Sequence, residues 1–470
     1  MANVRDFGAM GDGIHDDSGP LEHAWKAGDG ELYFPQGDYR VTRPLVCDLS
    51  QRGRLHVHGA GGLAKLIMDG PGPVFDVRGS HARSADPLGF MPTVWQRERM
   101  PTFDGLEIEG RHPQADGIHL TGVMQPTLTR LLIRRVRHAV HLTHRARNLL
   151  ISHCHFYHNH GIGIYLDHVN LHQVNIVGNH ISYHRHGGIR IEGGEIRNLQ
   201  ITGNDIEYNN ARVFRQGEDL PADEPTAEIF IDCSQGGTVR EGTIASNTIQ
   251  ATYSPQGANI RIIGGDAPDR QLVGMLCITG NLIGNQAVNV HITRARGITL
   301  TGNFIYSGYV RNLICEECHS LVMSANNFGH NPDYKDKELC TGIRLVDCVH
   351  SVLSGGLIQD AQAGRHTLPG APELQRQGLI ELIRCRHLQL QGWQILEGGP
   401  YALYLEDCQH TAIQQCSFYE TRSEPQTEAA IAWKGIGTGS LVAQCRSNRP
   451  WILPDDVLQA ANLLETEASR

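Results

Sequence analysis

An all-β solenoid is the fold class that this 470-residue sequence predicts. Two observations predict it. A short string with a central Asn recurs as IVGNHI (176–181), ITGNDI (201–206), IASNTI (244–249), ITGNLI (278–283), LTGNFI (300–305) and MSANNF (323–328). The six residues Asn179, Asn204, Asn247, Asn281, Asn303 and Asn326 stand 25, 43, 34, 22 and 23 positions apart, so the unit is about 23 residues, lengthened in places by insertions. Periods of roughly 20–50 residues mark repeat architectures. The second observation is an apolar–x–apolar string once per unit: GIHL (117–120), AVHL (139–142), GIYL (163–166), GIRI (188–191), EIFI (228–231), NIRI (259–262), NVHI (289–292), GIRL (342–345), LIEL (379–382) and ALYL (402–405). β-Branched residues alternating with polar ones make strands, not helices. Asn tolerates a left-handed backbone and hydrogen-bonds through its amide, so each copy is expected to mark the same tight corner of successive coils, stacked as a ladder.

The pattern divides the chain into a cap and first coil (1–45), a solenoid (46–435) and a C-terminal cap (436–470). In the cap, GDGIHDDS places Asp12, Asp16 and Asp17 together. A calcium loop is one reading. A Gly-rich turn whose acids cap free amides at the start of a short helix is the preferred one, because the closing Glu of an EF-hand is missing. At the other end, PWILPDDVLQAANLLETEASR predicts a short helix, with Asp455 or Asp456 near its start and Leu458, Ala461 and Leu464 at helical spacing.

The opening segment VRDFGAMGDGIHDDSGPLEHAW, followed by GELYFPQGDYRV, resembles the N-terminal cap of the pectate-lyase-like superfamily. With two strand ladders per coil, the resemblance implies a right-handed parallel β-helix over most of the chain. It implies action on a carbohydrate chain and makes a homotrimer a natural assembly. It does not imply one reaction, because hydrolases, lyases, epimerases and tailspikes share the fold. The polygalacturonase strings N-T-D, D-D and G-H-G are absent from the matching coils (GIYLDH, GIRIEGG, EIFIDCS), so no catalytic residue is carried over by motif.

Site residues follow from alternation instead. Side chains on a strand point alternately in and out. With Ile189 and Ile191 inward, Arg190 and Glu192 point outward. Aligning every coil gives one outward column of His119, His141, Tyr165, Arg190, Phe230, Arg261, His291, Ile314, Arg344, Glu381 and Tyr404. A second column, two residues on, contains Asp167, Glu192 and Asp232 on consecutive coils. Rungs lie about 4.8 Å apart, and like charges stacked at that distance are expected to raise the pKa of at least one carboxyl. Glycoside hydrolysis needs one protonated and one ionised carboxyl group. Asp167, Glu192 and Asp232 are therefore the candidate catalytic residues of a glycoside hydrolase. Tyr165, Arg190, Glu228, Arg261, His291 and Arg344 are the candidate substrate-binding residues, and the Arg residues suit an acidic sugar. A surface salt-bridge lattice is the alternative for the same acids. A β-eliminating lyase with Arg190, Arg261 or His291 as base is the rival reaction, and Ca²⁺ would then be an expected cofactor; otherwise none is expected. A glycan-binding or tailspike-like protein without catalysis is the third reading. Long insertions at 208–226, 253–257, 264–271 and 326–340, the last with Tyr334 and Lys335, are expected to wall a groove.

Metal binding is not expected. His153, His155, His158 and His160 fall at strand and turn positions facing different ways. Cys318, Cys348, Cys385 and Cys408, three of them followed two residues later by His350, His387 and His410, recur once per coil and read as a stacked ladder. The 12 Cys read mostly as reduced core residues. A net charge of −9 argues against a nucleic-acid partner, and no run of about 18 apolar residues suggests a membrane span. The first residues lack an apolar leader, so the expected location is cytoplasmic unless the chain is cut from a longer secreted precursor.

Overall fold

The structure is a computed structural model and describes residues 2–83, 91–210, 225–265, 272–329, 342–360 and 376–465. Apart from short helical turns and the helix Ser18–Ala27, the described residues form short strands, and every pair of neighbouring strands with a resolved register is parallel. This is the right-handed parallel β-helix expected of the repeat. The chain divides into two compact units, one of Met1–Leu220 with Thr226–Thr243 and one of Pro221–Pro225 with Ile244–Arg470.

In the first unit, Ile164, Ile189 and Ile229 stack in register, as do Leu166, Ile191 and Ile231, and all six are fully buried. Burying each such side chain contributes about 1.5–3 kcal/mol. These inner columns fix the outer ones, because a one-residue slip would turn every aliphatic side chain to solvent. The second unit repeats the arrangement with Ile260, Val290, Leu313, Ile343, Ile380 and Leu403.

The Asn corners form the expected ladder. Asn179 N donates to Asn204 Oδ1 at 3.0 Å, and Asn204 Nδ2 donates to Ile176 O at 2.9 Å. In the second unit the same bonds link Asn247 to Asn281, Asn281 to Asn303 and Asn303 to Asn326, each at 3.0 Å. The left-handed residue, however, is the one before each Asn: Gly178, Gly203, Ser246, Gly280, Gly302 and Ala325. Asn supplies the amide and not the backbone bend.

One further expectation is corrected. Among the described residues no helix forms at the C-terminus: Leu458–Ala460 and Leu463–Leu464 are strands. LQAANLL is another copy of the corner string, with Ala461 left-handed and Asn462 Oδ1 accepting from Cys445 N at 3.0 Å. The helical spacing of Leu458, Ala461 and Leu464 was coincidental with a two-strand coil. At the N-terminus the acids cap free amides, Asp16 at the first residue of the helix and Asp12 and Asp17 in the Gly-rich loop before it. Asp17 accepts from Met10 N (2.7 Å) and Gly11 N (3.1 Å), Asp16 from Ser18 N (3.0 Å), and Asp12 from Ile14 N (2.9 Å).

Cys318, Cys348, Cys385 and Cys408 are buried inside the second unit with free thiols. The following His350, His387 and His410 stack outside at 5.1 and 4.8 Å between ring centroids. Cys and His of each pair thus point to opposite sides of the wall. Among the described residues, no helix is long and apolar enough to cross a membrane.

Candidate functional site

The outward columns pair in the first unit as the alternation predicts. His119, His141, Tyr165, Arg190 and Phe230 are register partners on consecutive rungs, and Thr121, Thr143, Asp167, Glu192 and Asp232 are partners beside them. The three acids share one wall and are partly exposed.

Their partners differ. Asp167 Oδ2 faces His141 Nε2 at 3.0 Å and Oδ1 faces His168 Nδ1 at 2.7 Å. Burial penalises the Asp167 carboxylate, but the bonds from His168 and His141 outweigh it and hold its pKa below the ordinary value. This is opposite to the shift expected of an unneutralised acid stack. Glu192 accepts from the Tyr165 hydroxyl and from the Arg190 guanidinium. Burial first, then the neighbouring Glu192 carboxylate, pushes the Tyr165 phenol well up, so it stays protonated. Arg190 lies over the Phe230 ring, 5.0 Å from its centroid. Asp232 Oδ1 accepts from Ser234 N at 2.8 Å and so belongs partly to its own turn.

His141 is the residue that a carboxylate-centred sequence reading passes over. Its ring stacks on Tyr165 at 4.9 Å and 6°, with His138 at 5.3 Å and His119 at 5.4 Å. Burial lowers its pKa and Asp167 only partly restores it, so the ring is neutral near pH 7. With Nε2–H donating to Asp167, Nδ1 carries the lone pair. A second pair lies two rungs earlier, where His119 Nδ1 meets Asp76 Oδ1 at 2.8 Å and His119 Nε2 meets Thr143 Oγ1 at 2.9 Å. Both imidazoles stand in the outward column read from the sequence. The signal that was missed is the carboxylate within reach of each ring, on a neighbouring rung.

Glu228 is misplaced by the sequence reading. It is fully buried, and its Oε1 accepts from Asn209 N at 2.9 Å, closing a ladder from Asn159 through His184 and Asn209. Burial pushes its pKa up to about 8. Its carboxyl turns inward to Asn209, whose backbone N and Nδ2 both donate to it.

In the second unit, Arg261 and His291 are register partners. Arg261 Nη1 donates to Thr293 Oγ1 at 2.9 Å, and His291 Nε2 lies 3.0 Å from Glu316 Oε2. Arg344 Nη1 donates to Glu381 Oε2 at 2.8 Å, and Arg311 Nη2 lies 3.1 Å from Glu381 Oε1. Glu381 is fully buried. Arg344 therefore neutralises a buried acid. Tyr334, Lys335, and residues 211–224 and 266–271 of the insertions lie outside the described residues.

Comparison with known proteins agrees on architecture. Residues 94–218 match the family model described as right handed beta helix region. A 66-residue stretch is 41% identical to mannuronan C5-epimerase AlgE2 of Azotobacter vinelandii, covering 13% of this chain and 7% of that protein. A 44-residue stretch is 50% identical to alginate lyase 7 of the same organism, covering 8% of this chain and 5% of that one. The matched stretches are thus a small part of either relative's length. Among solved structures, the A-module of Azotobacter vinelandii mannuronan C-5 epimerase AlgE6 aligns over 96% of this chain and 100% of its own, at 15% identity and a TM-score of 0.46. By strand order, and by family model over residues 94–218, the chain is a right-handed parallel β-helix.

Proposed function

We propose that the first unit's wall acts on a uronate-containing polysaccharide by removing the proton α to the sugar carboxylate. The observation that carries this is the His141–Asp167 pair stacked on Tyr165, which itself donates to Glu192. Asp167 fixes the tautomer, and His141 Nδ1 takes the proton. Arg190 bonds Glu192 through Nη2 and would offer its remaining N–H groups to the substrate carboxylate. In elimination, the C–H electron pair forms the new double bond and the glycosidic C–O bond breaks. The departing oxygen takes the Tyr165 proton. If water reprotonates the carbanion from the opposite face instead, the sugar is epimerised and the chain stays whole. The names of the short-range relatives, mannuronan C5-epimerases and an alginate lyase, support an α-proton reaction on a uronate.

Hydrolysis by Asp167, Glu192 and Asp232 is the second reading, favoured by three carboxyl groups on consecutive rungs. It requires one of them protonated, and the partners of Asp167 oppose that. A Ca²⁺ bridging the three acids does not fit, because both oxygens of Asp167 and Glu192 are already engaged.

A polysaccharide panel tests the reading. Ultraviolet absorbance from an unsaturated product means elimination, and inverted sugar configuration without cleavage means epimerisation. New reducing ends without absorbance mean hydrolysis and sink the proposal. Binding without turnover across the panel assigns the wall to glycan recognition. Running Glu192→Gln and His141→Ala beside wild type ties the activity to this wall.

A further inference from the structure

We propose that Glu31, His56 and His58, on the first coils and outside the wall described above, form a binding site for a divalent transition-metal ion, with Zn²⁺ as its natural class. His56 and His58 flank buried Val57 on one strand, His56–Gly59, so both rings project from the same face. Glu31, on the neighbouring strand Glu31–Phe34, is the register partner of His56. Among the described residues this is the one group of three or more His, Cys, Asp or Glu whose ligand atoms converge, all within 4.8 Å of one another.

The donor set suits the ion. Two imidazoles and one carboxylate are borderline ligands that favour zinc and its neighbours over Ca²⁺ or Mg²⁺. Ligand atoms on a tetrahedral zinc stand about 3.4 Å apart. His58 Nε2 and Glu31 Oε1 are already 3.0 Å apart. The His56 and His58 rings stack at 4.6 Å and 18°, so a small rotation of exposed His56 brings its nitrogen to the same ion. A cleft of about 500 Å³, lined by Glu31 and His56 with Asp29, Met100 and Thr102, opens beside the group and leaves room for water in the remaining coordination positions. The ion would clip two consecutive rungs together next to the cap, replacing the Glu31–His58 hydrogen bond with three metal bonds.

The test is zinc titration calorimetry on the full chain after chelator treatment. Wild type is expected to bind one equivalent tightly, and His56→Ala and His58→Ala are each expected to weaken that equivalent by about tenfold or more, which is about 1.4 kcal/mol. The melting temperature of wild type rises with added Zn²⁺ and that of His56→Ala does not. His56 is exposed, so its removal leaves the metal-free melting temperature unchanged and separates binding from folding. The double variant His387→Ala with His410→Ala, which removes the exposed His stack elsewhere, keeps the tight equivalent. Unchanged zinc affinity in both His56→Ala and His58→Ala, or loss of the tight equivalent only in the His387 and His410 variant, overturns the proposal.

Discussion

The two units write their outward columns in the same grammar and reach different chemistry. In the first, five consecutive rungs carry His119, His141, Tyr165, Arg190 and Phe230, with Thr121, Thr143, Asp167, Glu192 and Asp232 alongside. In the second, the equivalent run of Arg261, His291, Ile314, Arg344, Glu381 and Tyr404 is broken by Ile314, and its companion column by Ile263, Val346 and Ile383. Its most buried acid, Glu381, sits between Arg311 and Arg344 and also accepts from Gln377 N at 2.7 Å. A carboxylate so enclosed is a structural ion. Both walls carry a half-buried imidazole facing a carboxylate diagonally, His141 to Asp167 and His291 to Glu316; the difference is that His141 stacks on Tyr165, which donates to Glu192, whereas His291 is followed on the next rung by Ile314. Position in a column is therefore not enough to assign a role; the partner of each charge decides it.

Substitutions can break this contrast. The largest effect is expected for His141→Ala, which should lower kcat by about 10²–10⁴ while substrate binding and melting temperature hold; steady-state kinetics and a binding titration check it. An unaltered kcat would move the chemistry off this residue. Glu381→Ala should do the opposite. Removing the buried carboxylate from between Arg311 and Arg344 costs about 3–5 kcal/mol in a denaturant melt, and the remaining folded protein should turn over normally.

A smaller effect sharpens the site's electrostatics. In the proposed reaction His141 is a neutral base, and burial holds its pKa below 6.5. The acid limb of kcat/KM should therefore fall below pH 6.5. Asp167 raises that pKa, so Asp167→Asn should shift the limb to lower pH while also reducing the rate. A limb that does not move would separate the two residues.

The smallest effect concerns Glu228. Its folded pKa of about 8 lies above the ordinary 4.5. The folded state thus holds a proton that the unfolded state releases, so this group's stabilisation is full below pH 4.5 and is lost as pH rises through 8. Glu228→Gln should flatten the fall in melting temperature between those pH values and leave turnover alone. A loss of turnover would return Glu228 to the substrate.

Much of this was legible in the sequence. Apolar residues two apart, once per coil, fixed which side chains face out, because burial of Ile189 and Ile191 leaves Arg190 no choice. The Asn string located the corners for the same reason. What stayed hidden depends on neighbours that alternation does not encode. The reach of His141 to Asp167 is a diagonal contact between rungs. The turn of Glu228 into the interior depends on Asn209, nineteen residues earlier and across an insertion. The last coil was misread because Leu458, Ala461 and Leu464 satisfy a helical period while Asn462 satisfies the corner motif, and the ladder bond from Cys445 decides between them.

The corner ladder also has a direction. Along it an Asn Oδ1 accepts a backbone N–H from the coil before, as Asn281 does for Asn247, Asn303 for Asn281 and Asn462 for Cys445. During synthesis on a ribosome, the donor of every finished coil therefore waits for an acceptor not yet made. Growth supplies that acceptor one turn at a time, whereas a stalled nascent chain ends on an unanswered buried amide. The assembly line and the molecule run the same way.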